Sequence, residues 1–159
     1  MNAKELIMDY YVRLNKDIFP LKKGEILKVT GSVVRAFLPA SAWCKDIKGN
    51  IYFIFEDDID PIPLTVDILK AYGFEKTSSV VPRYILSDNL FTVFAKNIND
   101  SAWLIDVLDN KFNLPDQSAI VYHVHQLQLW LRFCGIEREI KMSSLTSINT
   151  IKTYNHESK

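Results

Sequence analysis

Glycine, histidine and cysteine are scarce in this 159-residue chain, and neither sign of charge is in excess. The five glycines stand singly at Gly24, Gly31, Gly49, Gly73 and Gly135. No glycine-rich loop can therefore cradle a phosphate, and nucleotide-dependent catalysis is not expected. The two cysteines, Cys44 and Cys134, lack metal-ligand spacing and fall in different predicted elements, so both are expected as reduced thiols in the core. Nineteen basic residues balance nineteen acidic ones, which removes the global field that draws strongly charged proteins to nucleic acid or anionic lipid. No apolar run approaches a membrane span, and Met1-Asn2-Ala3-Lys4-Glu5 lacks the apolar stretch of a signal peptide. A cytoplasmic location is expected.

Apolar residues are plentiful at 48%, with aromatics at 12%, enough for a packed core and against disorder of the whole chain. Leu6, Tyr10 and Leu14 share one helical face with Ile7 and Tyr11 beside it, which predicts an amphipathic helix over 3–14. The composition then turns β-rich. Strands are predicted at Ile26–Thr30, Ser32–Leu38, Ala42–Asp46 and Ile51–Phe55, the last two joined by a Lys48-Gly49-Asn50 turn. Nearly every residue of Ile51–Phe55 is large and apolar, so that strand is expected to be covered on both faces. Thr65 can cap a short helix over Val66–Tyr72 that Gly73 closes. A meander follows at Tyr84–Leu86, Leu90–Lys96 and Ala102–Leu108, with a long helix from Ser118 to Cys134 and an edge strand at Glu139–Lys141. The expected fold is α+β: an antiparallel, strongly bent sheet of about six to eight short strands, packed against an N-terminal helix, a short central helix and a long C-terminal helix. One domain over 1–141 and a polar, flexible tail over 142–159 complete the expectation.

Each candidate for chemistry has a structural alternative. His123 and His125 lie two apart, and on a helix such residues point about 160° away from each other, so they are not expected to share a metal. Neither cysteine stands beside a histidine or basic run that would activate it. No catalytic residue, cofactor or metal is expected. The sharpest charge feature is Glu56, Asp57, Asp58 and Asp60, which reads as a solvated loop, as a metal site, or as a docking surface for a basic groove. On the predicted last helix, Ile120, Val124, Leu127, Leu131 and Cys134 form a core face, while Tyr122, Leu129 and Phe133 form a second apolar face suited to a partner or a homodimer. Lys16, Lys22, Lys23, Lys28 and Arg35, with Tyr10, Tyr11 and Phe19 near them, make a weak nucleic-acid-binding composition.

Two segments carry a resemblance. Asp60-Pro61-Ile62-Pro63-Leu64-Thr65-Val66-Asp67-Ile68-Leu69 with Gly73-Phe74, and Val121-Tyr122-His123-Val124-His125-Gln126-Leu127-Gln128, resemble segments of a family of small uncharacterised proteins of prophages and mobile elements. The resemblance covers about residues 20–141 and names no catalytic residue; Trp130, Arg132 and Phe133 depart from the family's usual ending. It implies a non-enzymatic phage-type protein, in the cytoplasm of a bacterial host, that binds and inhibits a defence component. An anti-CRISPR protein acting on a type VI-B RNA-guided RNA nuclease or its RNA complex fits that implication. Two alternatives stand beside it: a nucleic-acid-binding accessory protein of a mobile element, and an enzyme with a dispersed active site acting on a defence signal. The expected partner-binding residues are Glu56, Asp57, Asp58 and Asp60 on the loop, and Tyr122, Leu129 and Phe133 on the helix.

Overall fold

The computed structural model describes residues 10–33, 41–77, 82–87, 90–109, 117–138, 140 and 144–147. The domain expected over 1–141 divides into two compact units, Met1–Ile62 with Lys141–Lys159, and Pro63–Ile140. The α+β class stands, but the strands form two antiparallel sheets of five rather than one sheet of six to eight.

The first unit holds β1 (Tyr11–Leu14), β2 (Ile26–Val33), β3 (Ser41–Lys45), β4 (Ile51–Phe55) and β5 (Ile59–Pro61), in the order β4-β3-β2-β1-β5. Strand periodicity sends Val12, Leu14, Leu27, Val29, Ala42, Cys44, Ile54 and Ile59 to one side, where they form the core of the unit. A single 3-10 turn, Glu56–Asp58, links β4 to β5 and lets β5 return beside β1. The expected N-terminal helix is corrected here. Residues 11–14 are a strand paired with both β2 and β5, while 3–9 lie outside the described residues. Apolar side chains at 10, 11, 12 and 14 satisfy either period, and two neighbouring strands decide between them. In the stretch expected as a tail, 144–147 form a helical turn that buries Leu145.

The second unit opens with α1 (Val66–Ala71), capped as expected: the Thr65 hydroxyl accepts the Ile68 N–H at 3.4 Å, and Gly73 takes φ +95° just past the helix end. Its sheet has the order β10-β9-β8-β7-β6, built from β6 (Glu75–Lys76), β7 (Arg83–Ser87), β8 (Phe91–Asn97), β9 (Trp103–Asp109) and β10 (Gln117–Val121). The long C-terminal helix is also corrected. Residues 117–121 pair with β9, Ser118 Oγ donates to Asp106 instead of capping a helix, and α2 spans only Val124–Phe133. The ladder with β9 holds 117–121 extended, and His123 stands in extended conformation as the N-cap of α2. The Gln126 side chain reaches back to accept the N–H groups of Tyr122 and His123 at 2.8 and 3.2 Å, which fixes the start of α2 there. Ile140 is buried and outside any strand, and its neighbours in the expected edge strand lie outside the described residues. Among the described residues no helix is long and apolar enough to cross a membrane.

Candidate interaction surface

The hairpin β3–β4 is built from its turn. The Asp46 carboxylate accepts the Asn50 N–H and side-chain amide, each at 2.8 Å, and the Tyr52 hydroxyl at 3.2 Å, closing the connection from Asp46 to Asn50. Burial acts to raise the Asp46 carboxyl, but these hydrogen bonds and one from the Lys48 N–H outweigh it, and the group sits below its ordinary range. Asp46 N–H donates to Asn50 O at 3.0 Å, so Asp46 turns its N–H toward β4 and the ladder alternates from there, although the Asn50 N–H goes to the Asp46 carboxylate and not to its carbonyl. By that alternation Cys44–Tyr52 and Ala42–Ile54 are the pairs that bond across the strands. Ile51, Phe53 and Phe55 therefore turn their N–H groups away from β3, toward the open edge of the sheet.

The same alternation sorts the side chains. Ile54 is in the core, whereas Ile51, Phe53 and Phe55 are 62%, 43% and 46% exposed, and Trp43, opposite Phe53, is 46% exposed. This corrects the expectation that β4 is covered on both faces: with Tyr52 and Ile54 on the core side, the alternate positions that face outward are all apolar. Trp43 and Phe53 meet edge to face at 5.0 Å, and Phe53 meets Phe55 in the same way at 5.7 Å, giving a continuous aromatic row. Gly31 lies opposite Trp43, where an added Cβ would touch the indole at 3.7 Å, so glycine leaves that flank of the ring open. Lys28 and Lys45 are direct cross-strand neighbours, and Lys45 is in turn opposite Ile51, placing two like charges beside the aromatic row.

The acidic turn lies next along the chain and is tied down. Asp58 is buried and ion-paired with Lys16. The Asn15 side chain donates to Asp57 O at 2.9 Å and to Asp60 Oδ1 at 3.5 Å, while the Asn15 N–H donates to Asp58 O at 3.1 Å. Asp60 lies in β5 opposite Arg13, Glu56 is half-buried, and Asp57 is the exposed member. The structure thus separates the four: Asp58 and Asp60 are engaged with β1 and the residues after it, and Asp57 faces solvent.

Tyr122, Leu129 and Phe133 are all exposed. Leu129 and Phe133 share one side of α2, where Phe133 stacks on Trp130 at 5.6 Å; Tyr122 precedes the helix. Val124, Leu127 and Leu131 form the buried side as expected, but Ile120 is exposed on β10 and Cys134 is only half-buried. The histidine argument is corrected as well. Because His123 is the extended N-cap, its ring stacks on that of His125 at 5.5 Å and 9° instead of pointing away, and His125 is buried. No group of three or more His, Cys, Asp or Glu among the described residues could hold a metal.

No protein-family model, curated protein or solved structure matches the chain.

The remaining sequence candidates fall as follows. Tyr10 and Tyr11 are buried and cannot stack on bases, Lys16 and Lys22 are ion-paired with Asp58 and Asp17, Phe19 is exposed, and Arg35 lies outside the described residues. Burial pushes the Cys44 thiol up to about 12 and also raises that of Cys134, so neither is a ready thiolate. In the second unit a cleft of about 460 Å³ is lined by Gln128, Arg132, Ile136, Glu137 and Arg138. In the first, about 440 Å³ opens among residues that include Leu21, Ile26, Asp46, Tyr52 and Thr146. The Asp46 oxygens facing that second cleft are already taken by Asn50 and Tyr52. The aromatic row and Lys45 were missed by sequence reasoning. The signal available was the pair of aromatics at Phe53 and Phe55 two apart, in phase with Ile51.

Proposed function

We propose that this protein acts by binding another protein through the outer face of β3–β4, with Trp43, Phe53 and Phe55 as anchors. The observation that carries the reading is the exposed row of three rings packed edge to face on one another. Exposed contiguous apolar surface marks interaction sites, and buried aromatics dominate interface energies. Rings that lean on each other edge to face form an apolar ridge rather than the separate open faces on which bases stack, which favours a protein over a single-stranded nucleic acid. Lys45, exposed and opposite Ile51, fits a partner whose apolar anchor is flanked by carboxylates.

The resemblance to prophage proteins makes a bacterial defence component the first partner to try, and the type VI-B RNA-guided nuclease the first candidate. Purified effector is mixed with the chain, and binding and RNA cleavage are followed. Wild type is expected to bind stoichiometrically and suppress cleavage, and Trp43→Ala with Phe53→Ala is expected to weaken binding by at least about 30-fold, as loss of a hot spot does. Lys45→Glu is expected to weaken it less and to reduce its salt dependence. No binding by wild type removes this target. Equal capture of one partner by wild type and the double variant removes the surface.

A further inference from the structure

The edge of β4, as distinct from its face, has a geometry of its own. We infer that it pairs with the β4 edge of a second copy of this chain, antiparallel and about a two-fold axis at Phe53, joining two five-stranded sheets into one of ten. The hydrogen-bond phase set at Asp46–Asn50 points the N–H groups of Ile51, Phe53 and Phe55 outward, all three on an edge with no neighbouring strand among the described residues. Edge strands are normally guarded by Lys, Pro, bulges or inward charges, and Ile51-Tyr52-Phe53-Ile54-Phe55 has none of these.

The occupant follows from self-complementarity. Only a partner residue whose own N–H and C=O point outward can form a hydrogen-bonded pair here, so odd-numbered positions must meet odd-numbered positions. One register uses all three: Phe53 opposite Phe53 of the second copy, and Ile51 opposite its Phe55 on either side. That register sets apolar side chains against apolar side chains on one face and opposes no like charges. Past the paired strands it brings the turn carrying exposed Lys48 of one copy to the end of β4 where Glu56 and exposed Asp57 of the other begin, so opposite charges meet at both ends. An isologous contact of this kind closes on itself and stops at two chains. It leaves the aromatic face exposed and doubles its length.

Sedimentation of the whole chain over a concentration series tests this. Wild type is expected to reach twice the chain's mass, and Phe53→Lys and Phe53→Glu, each placing two like charges opposite one another, are expected to stay monomeric. An equal mixture of the two is expected to recover the doubled mass, because Lys then opposes Glu. Hydrogen exchange on wild type alone covers the case in which a variant fails to fold: the Ile51, Phe53 and Phe55 amides are expected to slow as concentration rises. A wild-type chain that stays monomeric to millimolar concentration, exchange at these amides that ignores concentration, or a doubled mass that survives Phe53→Lys overturns the inference. Trp43 lies one strand in from the edge, so Trp43→Ala is expected to keep the doubled mass while losing partner binding. Failure of the edge and failure of the face are thereby told apart.

Discussion

Two adjacent pentapeptides behave against their polarity. Ile51–Phe55, without a charged residue, exposes three of its five side chains, whereas Glu56–Asp60, four-fifths acidic, buries Asp58 and Ile59 and ties its backbone to Asn15. The difference lies in the neighbours. The pleat sends alternate side chains to opposite faces, so an all-apolar strand cannot turn every residue inward, and here Tyr52 and Ile54 take the core side. The acidic turn, by contrast, must bring β5 back to β1, and its carbonyls and carboxylates meet donors waiting at Asn15 and Lys16. Surface character here follows position in the sheet more than residue type.

The sharpest way to break the comparison is to truncate neighbouring residues on opposite sides of β4. Ile54→Ala removes a core side chain and is expected to cost about 2–5 kcal/mol, while Phe53→Ala, losing mainly exposed ring contacts, is expected to cost about 1 kcal/mol. Urea midpoints of the two variants check this, and equal losses would mean that the outer face is covered. Next, Asn15→Ala removes the side-chain tether of the acidic turn and is expected to cost about 0.5–1.5 kcal/mol. Denaturation of that variant, with proteolysis at the turn, reads the loss; an unchanged midpoint would make the turn self-supporting.

The smallest effect concerns the hairpin that presents the aromatic row. Asp46 has a folded pKa below its ordinary value, so its contribution is present at pH above that ordinary value and is lost as pH falls through the lower folded one. Stability measured down a series of acid pH values is expected to fall less steeply in Asp46→Asn than in wild type. A steeper fall in the variant would contradict the sign.

Much of the local structure was legible in the chain. The Thr65 cap and Gly73 stop of α1, the turn ahead of β4, most of the meander and the buried side of α2 follow from capping chemistry, turn residues and hydrophobic phase, all of which act within a few residues. Residues 11–14 and 117–121 were not, because their apolar residues suit a helix or a strand, and the choice came from ladders to β2, β5 and β9. The histidine geometry went wrong with the second of these, since the helix begins after His123 and not before it.

The site followed the same division. Sequence by itself determined the ingredients: three rings and an isoleucine in phase along 43–55, a cluster of four carboxylates, lysines at 28 and 45, two thiols with no activating neighbour. Only the tertiary structure decided that β4 is an edge, which face of that strand meets water, which backbone groups look outward, and which carboxylates are used up inside. The physical reason is that hydrogen-bond valence at a strand depends on how many strands flank it and exposure on what packs against each face, both set by contacts between residues far apart in the chain.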